Sequence, residues 1–174
     1  ITGLLKPDTG IVKVDGQNIQ KNIKLWQNKI GYVPQNVYLL DNSISNNIAF
    51  GERSDLINQE RIDKVSKYAK IDEFVLNLSD KYESGVGEQG MLVSGGQKQR
   101  IGLARAFYKD PDIIILDEAT VALDKKIETE IMDLILTLKD KKTFVIVSHD
   151  ENILKNCSKV YSIETNSIIK KSDE

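Results

Sequence analysis

Two adjacent carboxylates, Asp117 and Glu118, end the apolar run Ile113-Ile114-Ile115-Leu116 and are the first candidates for chemistry. An Asp at the end of a buried strand can hold a Mg²⁺ beside a nucleotide's phosphates, directly or through water. A Glu next to it can accept the proton of an attacking water or orient that water. The same pattern also suits a solvated strand-to-loop turn. Ser94-Gly95-Gly96-Gln97 is a second candidate. Ser followed three residues later by Gln is a capping box at a helix start. The two glycines each cost about 1 kcal/mol relative to alanine in a helix, so a start built only for stability would avoid them. Bare N–H groups at a helix N-terminus attract phosphate, and that role is compatible with capping. His149, the only histidine, and Gln35, which follows Gly31-Tyr32-Val33-Pro34, complete the set. Each is an ordinary loop residue in isolation, although an amide oxygen at a strand end can coordinate Mg²⁺ or a water.

The elements that must position these residues are legible in outline. Pro7-Asp8-Thr9-Gly10 reads as a turn, and residues 11–14 alternate apolar with polar before Asp15-Gly16, a strand and its turn. Residues 30–33 read as a short buried strand stopped by Pro34. From 44 to 106 the pattern is helical, with segments at 59–69 and 71–78. A longer helix over 94–108 is closed by Asp110-Pro111. The second half then alternates: a strand over 113–117, an amphipathic helix over 126–138, a strand over 143–148, a short helix over 151–156 and a strand over 159–163. Residues 166–170 add an edge hairpin strand. Apolar runs separated by helices predict an α/β fold, a parallel sheet covered on both faces. Ligands of such folds collect at the C-terminal ends of the strands, where Asp117, Glu118 and His149 fall.

Bulk composition excludes several classes. The 174 residues fit one domain, and 40% hydrophobic with 29% charged residues is the balance of a soluble globular chain. No stretch approaches the roughly 20 apolar residues of a membrane span. A net charge of −2 gives no electrostatic reason to expect nucleic acid as a partner. The single cysteine, Cys157, rules out an internal disulfide, fits a reducing compartment and reads as a structural residue ahead of a strand.

Taken together, the motifs resemble those of ATP-binding-cassette (ABC) ATPases. Leu92-Val93-Ser94-Gly95-Gly96-Gln97-Lys98-Gln99-Arg100 is similar to the family's signature motif. Residues 113–118 resemble its Walker B strand with the catalytic Glu, and Ala122-Leu123-Asp124 resembles its D-loop. His149 matches the switch histidine and Gln35 the Q-loop glutamine. All five stand in the family's order and at its spacing, across essentially the whole chain. The resemblance implies a P-loop NTPase-like core with a helical signature subdomain over about 44–106 and part of an antiparallel β subdomain. It implies ATP and Mg²⁺ as ligands, with Asp117 and Gln35 at the metal, Glu118 polarising the water, and His149 holding the γ-phosphate and Glu118. It further implies a second such domain, packed head to tail, in which Ser94, Gly95, Gly96 and Gln97 reach the opposite nucleotide and Asp124 links the two sites.

Val86-Gly87-Glu88 and Ser43-Ile44-Ser45-Asn46-Asn47-Ile48-Ala49-Phe50-Gly51 resemble exporter-type versions of their segments. The expected parent is therefore an exporter or flippase at the cytoplasmic face of a membrane, with membrane helices fused upstream. Three residues depart from the family pattern: Val93 for Leu, Val121 for the D-loop Ser, and Asp150 where exporters often carry Arg. No Gly-x-x-x-x-Gly-Lys-Ser/Thr occurs, nor the adenine-stacking aromatic. Family spacing puts both just upstream of Ile1, so the expectation is a truncated domain that is inactive alone. A soluble ABC ATPase such as a translation factor, or a non-catalytic truncated module, stays open as an alternative. The short 36–93 interval excludes the coiled-coil DNA-repair type.

Overall fold

The computed structural model describes residues 1–164 and 167–171. Strands β1 (Lys13–Val14) and β2 (Gln17–Asn18) form a small hairpin, and helix α1 (Ile23–Asn28) leads into β3 (Ile30–Val33). A helical stretch follows: α2 (Ile44–Ile48), α3 (Gln59–Tyr68), α4 (Asp72–Leu76) and the long α5 (Gly95–Tyr108). The chain then alternates through β4 (Ile113–Asp117), α6 (Lys125–Leu138), β5 (Thr143–Val147) and α7 (Glu151–Leu154). It ends on β6 (Val160–Glu164) and β7 (Ser167–Lys171). Strands β3, β4 and β5 make a parallel sheet in that order, with Tyr32, Ile115 and Val145 in register. The strand expected over 159–163 is β6, but its partner is β7 in an antiparallel pair, and it does not extend the parallel sheet. Asn166, in the hairpin strand read from the sequence, lies outside the described residues.

The expected parallel sheet flanked by helices is present, with its most extensive helical packing on one face. Val33, Ile114 and Leu116 are buried beneath the helices, in one core with Ile101 and Ala104 of α5 and Ile131 and Ile135 of α6. On the opposite face Tyr32 and Val147 are 41% and 50% exposed. Thr2, Leu4, Gln27, Ile30 and Tyr32 line an open hollow on that side. Both connections, β3 to β4 and β4 to β5, step in the same direction along the sheet, which places right-handed crossovers on the same face.

Helix α5 organises this face. It packs on α2, α3 and β3, then reverses through Asp110, in the left-handed region, and Pro111 into β4. Its half-buried Arg105 has no carboxylate partner among the described residues. The guanidinium instead donates to the carbonyls of Asn47 (2.8 Å) and Tyr38 (3.0 Å) and to Asn47 Oδ1 (3.2 Å), and it stacks 5.0 Å from the Phe50 ring centre. Asn47, fully buried, closes the set with bonds to both backbone groups of Leu40 and to the Ser43 carbonyl. The segment downstream of Gln35 is thereby fixed to α5 by satisfied polar groups.

A side chain at Gly31 has no room: an added Cβ would lie 2.3 Å from the Ala106 carbonyl oxygen and 3.0 Å from Pro111 Cγ. Gly31→Ala is expected to cost about 1–3 kcal/mol by forcing α5 off the sheet. Urea denaturation checks it: the midpoint should fall with the slope unchanged.

Candidate functional site

The β4 run is rich in β-branched residues and ends at Asp117, which carries the first carboxylate past the apolar core. Glu118 then leaves the strand in the left-handed region, at φ +50°, while its N–H still donates 3.0 Å to the Val147 carbonyl of β5. A non-glycine residue held there stores roughly 1–3 kcal/mol of backbone strain, which is concentrated at functional positions. The Glu118 side chain is only 11% exposed. His149 Nε2 stands 3.2 Å from Glu118 Oε1, and that buried oxygen has no hydrogen bond among the described residues. A strained carboxylate with an unsatisfied buried oxygen is arranged to take a water or another ligand. His149 itself is almost fully exposed, at 97%.

The loop bearing His149 is tied down on both sides. The Asp150 N–H donates to Ser148 Oγ, and Asp150 caps α7 by accepting from the Asn152 N–H at 2.8 Å. Its other oxygen meets Lys125 Nζ at 3.3 Å, and the same ammonium also contacts Glu128. The Asn152 amide and then Lys125 hold the Asp150 carboxyl below its ordinary value. Asp150, a departure from the family pattern, thus fastens the loop of His149 to the first turn of α6.

Ser94 and Gln97 form the expected capping box: Ser94 Oγ accepts from the Gln97 N–H at 3.2 Å, and Gln97 Oε1 from the Ser94 N–H at 2.8 Å. These bonds close on each other, not on Asp117, Glu118 or His149. A Cβ at Gly95 would meet nothing within 4 Å, whereas one at Gly96 would lie 3.0 Å from the Ala122 carbonyl. The start of α5 therefore rests against the 121–124 loop, with its Gly95 side open. Asp124 caps α6, accepting from the Ile127 N–H at 3.0 Å. Gln35 is exposed just beyond β3, at the strand end that β4 and Asp117 share, and Gln99 of α5 donates to the neighbouring Pro34 carbonyl at 3.5 Å.

The starts of α5 and α6 meet at the 121–124 loop beyond β4, and their positive dipole ends favour an anion there. One participant was missed in the sequence. The Tyr32 hydroxyl donates 3.0 Å to Asp117 Oδ2, and burial, then this bond and the Asp117 charge, raise the phenol above its ordinary value. Period-two alternation puts Tyr32 and Asp117 each on a definite face of its own strand. Only the β3–β4 register shows that the face is the same one.

Comparison with known proteins bears on this arrangement. Residues 1–121 match the family model described as ABC transporter. The chain is 37% identical over 165 residues to the mitochondrial ABC transporter B family member 24 of Arabidopsis thaliana, covering 94% of this chain and 24% of that one. It is 41% identical over 141 residues to the ATP-dependent lipid A-core flippase of Pseudoalteromonas translucida (strain TAC 125), covering 81% and 24%. The structure of a bacterial Atm1-family ABC exporter with ATP bound is similar at a TM-score of 0.85 and 30% identity, over 94% of this chain and 28% of that chain. The chain thus spans about a quarter of the length of these relatives. With the family model covering most of its length, the chain belongs to the ABC transporter family.

Proposed function

We propose that this chain forms most of the ATP-binding and ATP-hydrolysing domain of an exporter- or flippase-type ABC transporter. The observation that carries the reading is the strained, nearly buried Glu118 beside His149 at the carboxyl edge of the sheet, with one carboxylate oxygen left without a hydrogen bond. Family membership supports ATP as the nucleotide. The donor chemistry suits Mg²⁺: a carboxylate from Asp117 and an amide oxygen from Gln35 are hard oxygen ligands. Mg²⁺ is commonly held by one or two carboxylates together with substrate phosphates and water. When bound, the ion would neutralise charge developing on the transferred phosphoryl group.

The chain's own residues supply position and charge. Glu118 accepts the proton of the attacking water or orients it, and its burial keeps the carboxylate in one place. His149 turns toward Glu118 and the γ-phosphate from a loop anchored by Asp150. The start of α5 at Ser94, Gly95, Gly96 and Gln97, where the Ser94 and Gln97 N–H groups are held in the capping box and Gly95 borders open space, we assign to the nucleotide of a second, head-to-tail domain. Asp124, beside them, links the two sites. Residues 44–106 act as the helical subdomain, and the surfaces around Gln35 and Glu88 contact the transmembrane part of the parent protein, at the cytoplasmic face of its membrane. Among the described residues no helix is long and apolar enough to cross a membrane. The sequence holds no Gly-x-x-x-x-Gly-Lys-Ser/Thr, so turnover is to be measured in the parent protein.

In that protein Glu118→Gln should keep ATP binding and slow hydrolysis by about 10²–10⁴-fold, the range for general acid–base assistance. Asp117→Asn should instead raise the Mg²⁺ requirement. Near-normal turnover in Glu118→Gln removes it from the catalytic role.

Ser94→Ala loses a cap and should cost about 0.5–2 kcal/mol of stability. Gly95→Glu meets open space and should leave the fold intact while its carboxylate repels phosphate across the dimer. Mixed with a variant lacking the phosphate-loop lysine, it places both lesions in one composite site and leaves the other whole. Partial recovery of ATPase in the mixture is expected. Full activity of Gly95→Glu alone would exclude contact between this segment and nucleotide.

A further inference from the structure

Tyr32 belongs to none of the motifs used above, yet it reaches the metal-side carboxylate across 85 residues of sequence. Parallel register sets Tyr32 beside Ile115, so Asp117 stands two residues further along the adjacent strand on the same face. A phenol is long enough for that diagonal, and its hydroxyl meets Asp117 Oδ2 at 3.0 Å.

We propose that Tyr32 is a positioning residue for Asp117, fixing the carboxylate's rotation so that its other oxygen is presented to the divalent cation of a metal–nucleotide complex. The inference rests on the reading of Asp117 as the metal-holding carboxylate. A terminal carboxylate rotates broadly about its last bond, and ordering it at the moment of binding weakens affinity. Here one oxygen is already engaged. The donor is neutral, so the carboxylate keeps the negative charge that attracts the cation, which a Lys or Arg in the same place would offset. Tyr32 is partly exposed, so its ring is not committed to core packing.

The test uses the parent transporter carrying Tyr32→Phe, which removes the hydroxyl and keeps the ring. Mn²⁺ binding in the presence of a non-hydrolysable ATP analogue, followed by electron paramagnetic resonance, should weaken by roughly tenfold, the low end for losing a partner of a metal-holding group. The Mg²⁺ concentration for half-maximal ATPase should rise in parallel, and the loss of turnover at low Mg²⁺ should be recovered at high Mg²⁺. Analogue binding in EDTA should stay as in the unsubstituted protein. Unchanged Mn²⁺ affinity overturns the proposal. So does a loss of analogue binding in EDTA, which would mean that Tyr32 serves the fold or the nucleotide instead of the carboxylate. Asp117→Asn, measured alongside, separates the two ideas. If Asp117→Asn also leaves Mn²⁺ affinity unchanged, the reading of Asp117 fails. If it weakens binding and Tyr32→Phe does not, only the role of Tyr32 fails.

Discussion

The close packing of α5 on β3 at Gly31 is the constraint on which the rest of the site depends. With the Ala106 carbonyl and the Pro111 ring occupying the space of a side chain, α5 is pressed to the sheet at its C-terminal end. The chain then reverses directly into β4, so α5 runs back along the sheet toward the ends of the strands. At 1.5 Å per residue its 14 residues span about 21 Å, against roughly 17 Å for the five residues of β4. The start of α5 therefore overshoots the sheet and meets the 121–124 loop at Gly96. A helix beginning far from Asp117 in sequence is thus delivered to the edge at which Asp117 and Glu118 emerge. The Arg105–Asn47 network holds the segment after Gln35 to the same helix by polar contacts that are all satisfied.

Strain and capping share the burden at this edge. Glu118 carries the unfavourable part, a left-handed backbone and an oxygen without a hydrogen bond. Its backbone is nonetheless retained by the bond to Val147, which extends the sheet ladder one residue beyond β4. The favourable part lies in Ser94, Asp124 and Asp150, which cap α5, α6 and α7. The capped helix starts carry Gly95 and Gly96 and adjoin the loop of His149. Three helix starts at this edge are satisfied locally by cap hydrogen bonds, and these order it more than attraction between its charged groups does. The contacts of Asp150 and Glu128 both use the solvent-exposed Lys125 ammonium, and water screens such pairs so that they add little net stability.

What was legible in the sequence was local. The capping box at Ser94 and Gln97 and the run of isoleucines at β4 depend on neighbours within a few residues, and both are present. The proline stop after β3 is also in place, with the strand ending at Val33. Helix α1 went unread because Ile23-Lys24-Leu25-Trp26-Gln27-Asn28 is too short to display a period. The Tyr32–Asp117 and Arg105–Asn47 contacts span 85 and 58 residues, and no local pattern specifies their register. The apolar character of the strands indicates a buried parallel sheet, but not the order β3-β4-β5, which is a property of the assembled sheet.

The caps also determine how substitutions in this chain can be interpreted. Replacing Ser94, Asp124 or Asp150 removes a bond that stabilises a helix start and, at once, alters a group that faces the candidate site. Loss of activity in any of these would leave stability and chemistry confounded, since a missing cap alone costs about 1 kcal/mol and loosens the loop. Gly95 and Tyr32 do not share this ambiguity. Gly95 has open space where a side chain would go, and the Tyr32 ring stays in place when only its hydroxyl is removed. Gly96 sits between the two cases, because an added methyl would press on the Ala122 carbonyl and move the 121–124 loop with it. The chemistry of the edge is therefore best separated from its architecture at positions that are adjacent to the caps but are not themselves caps.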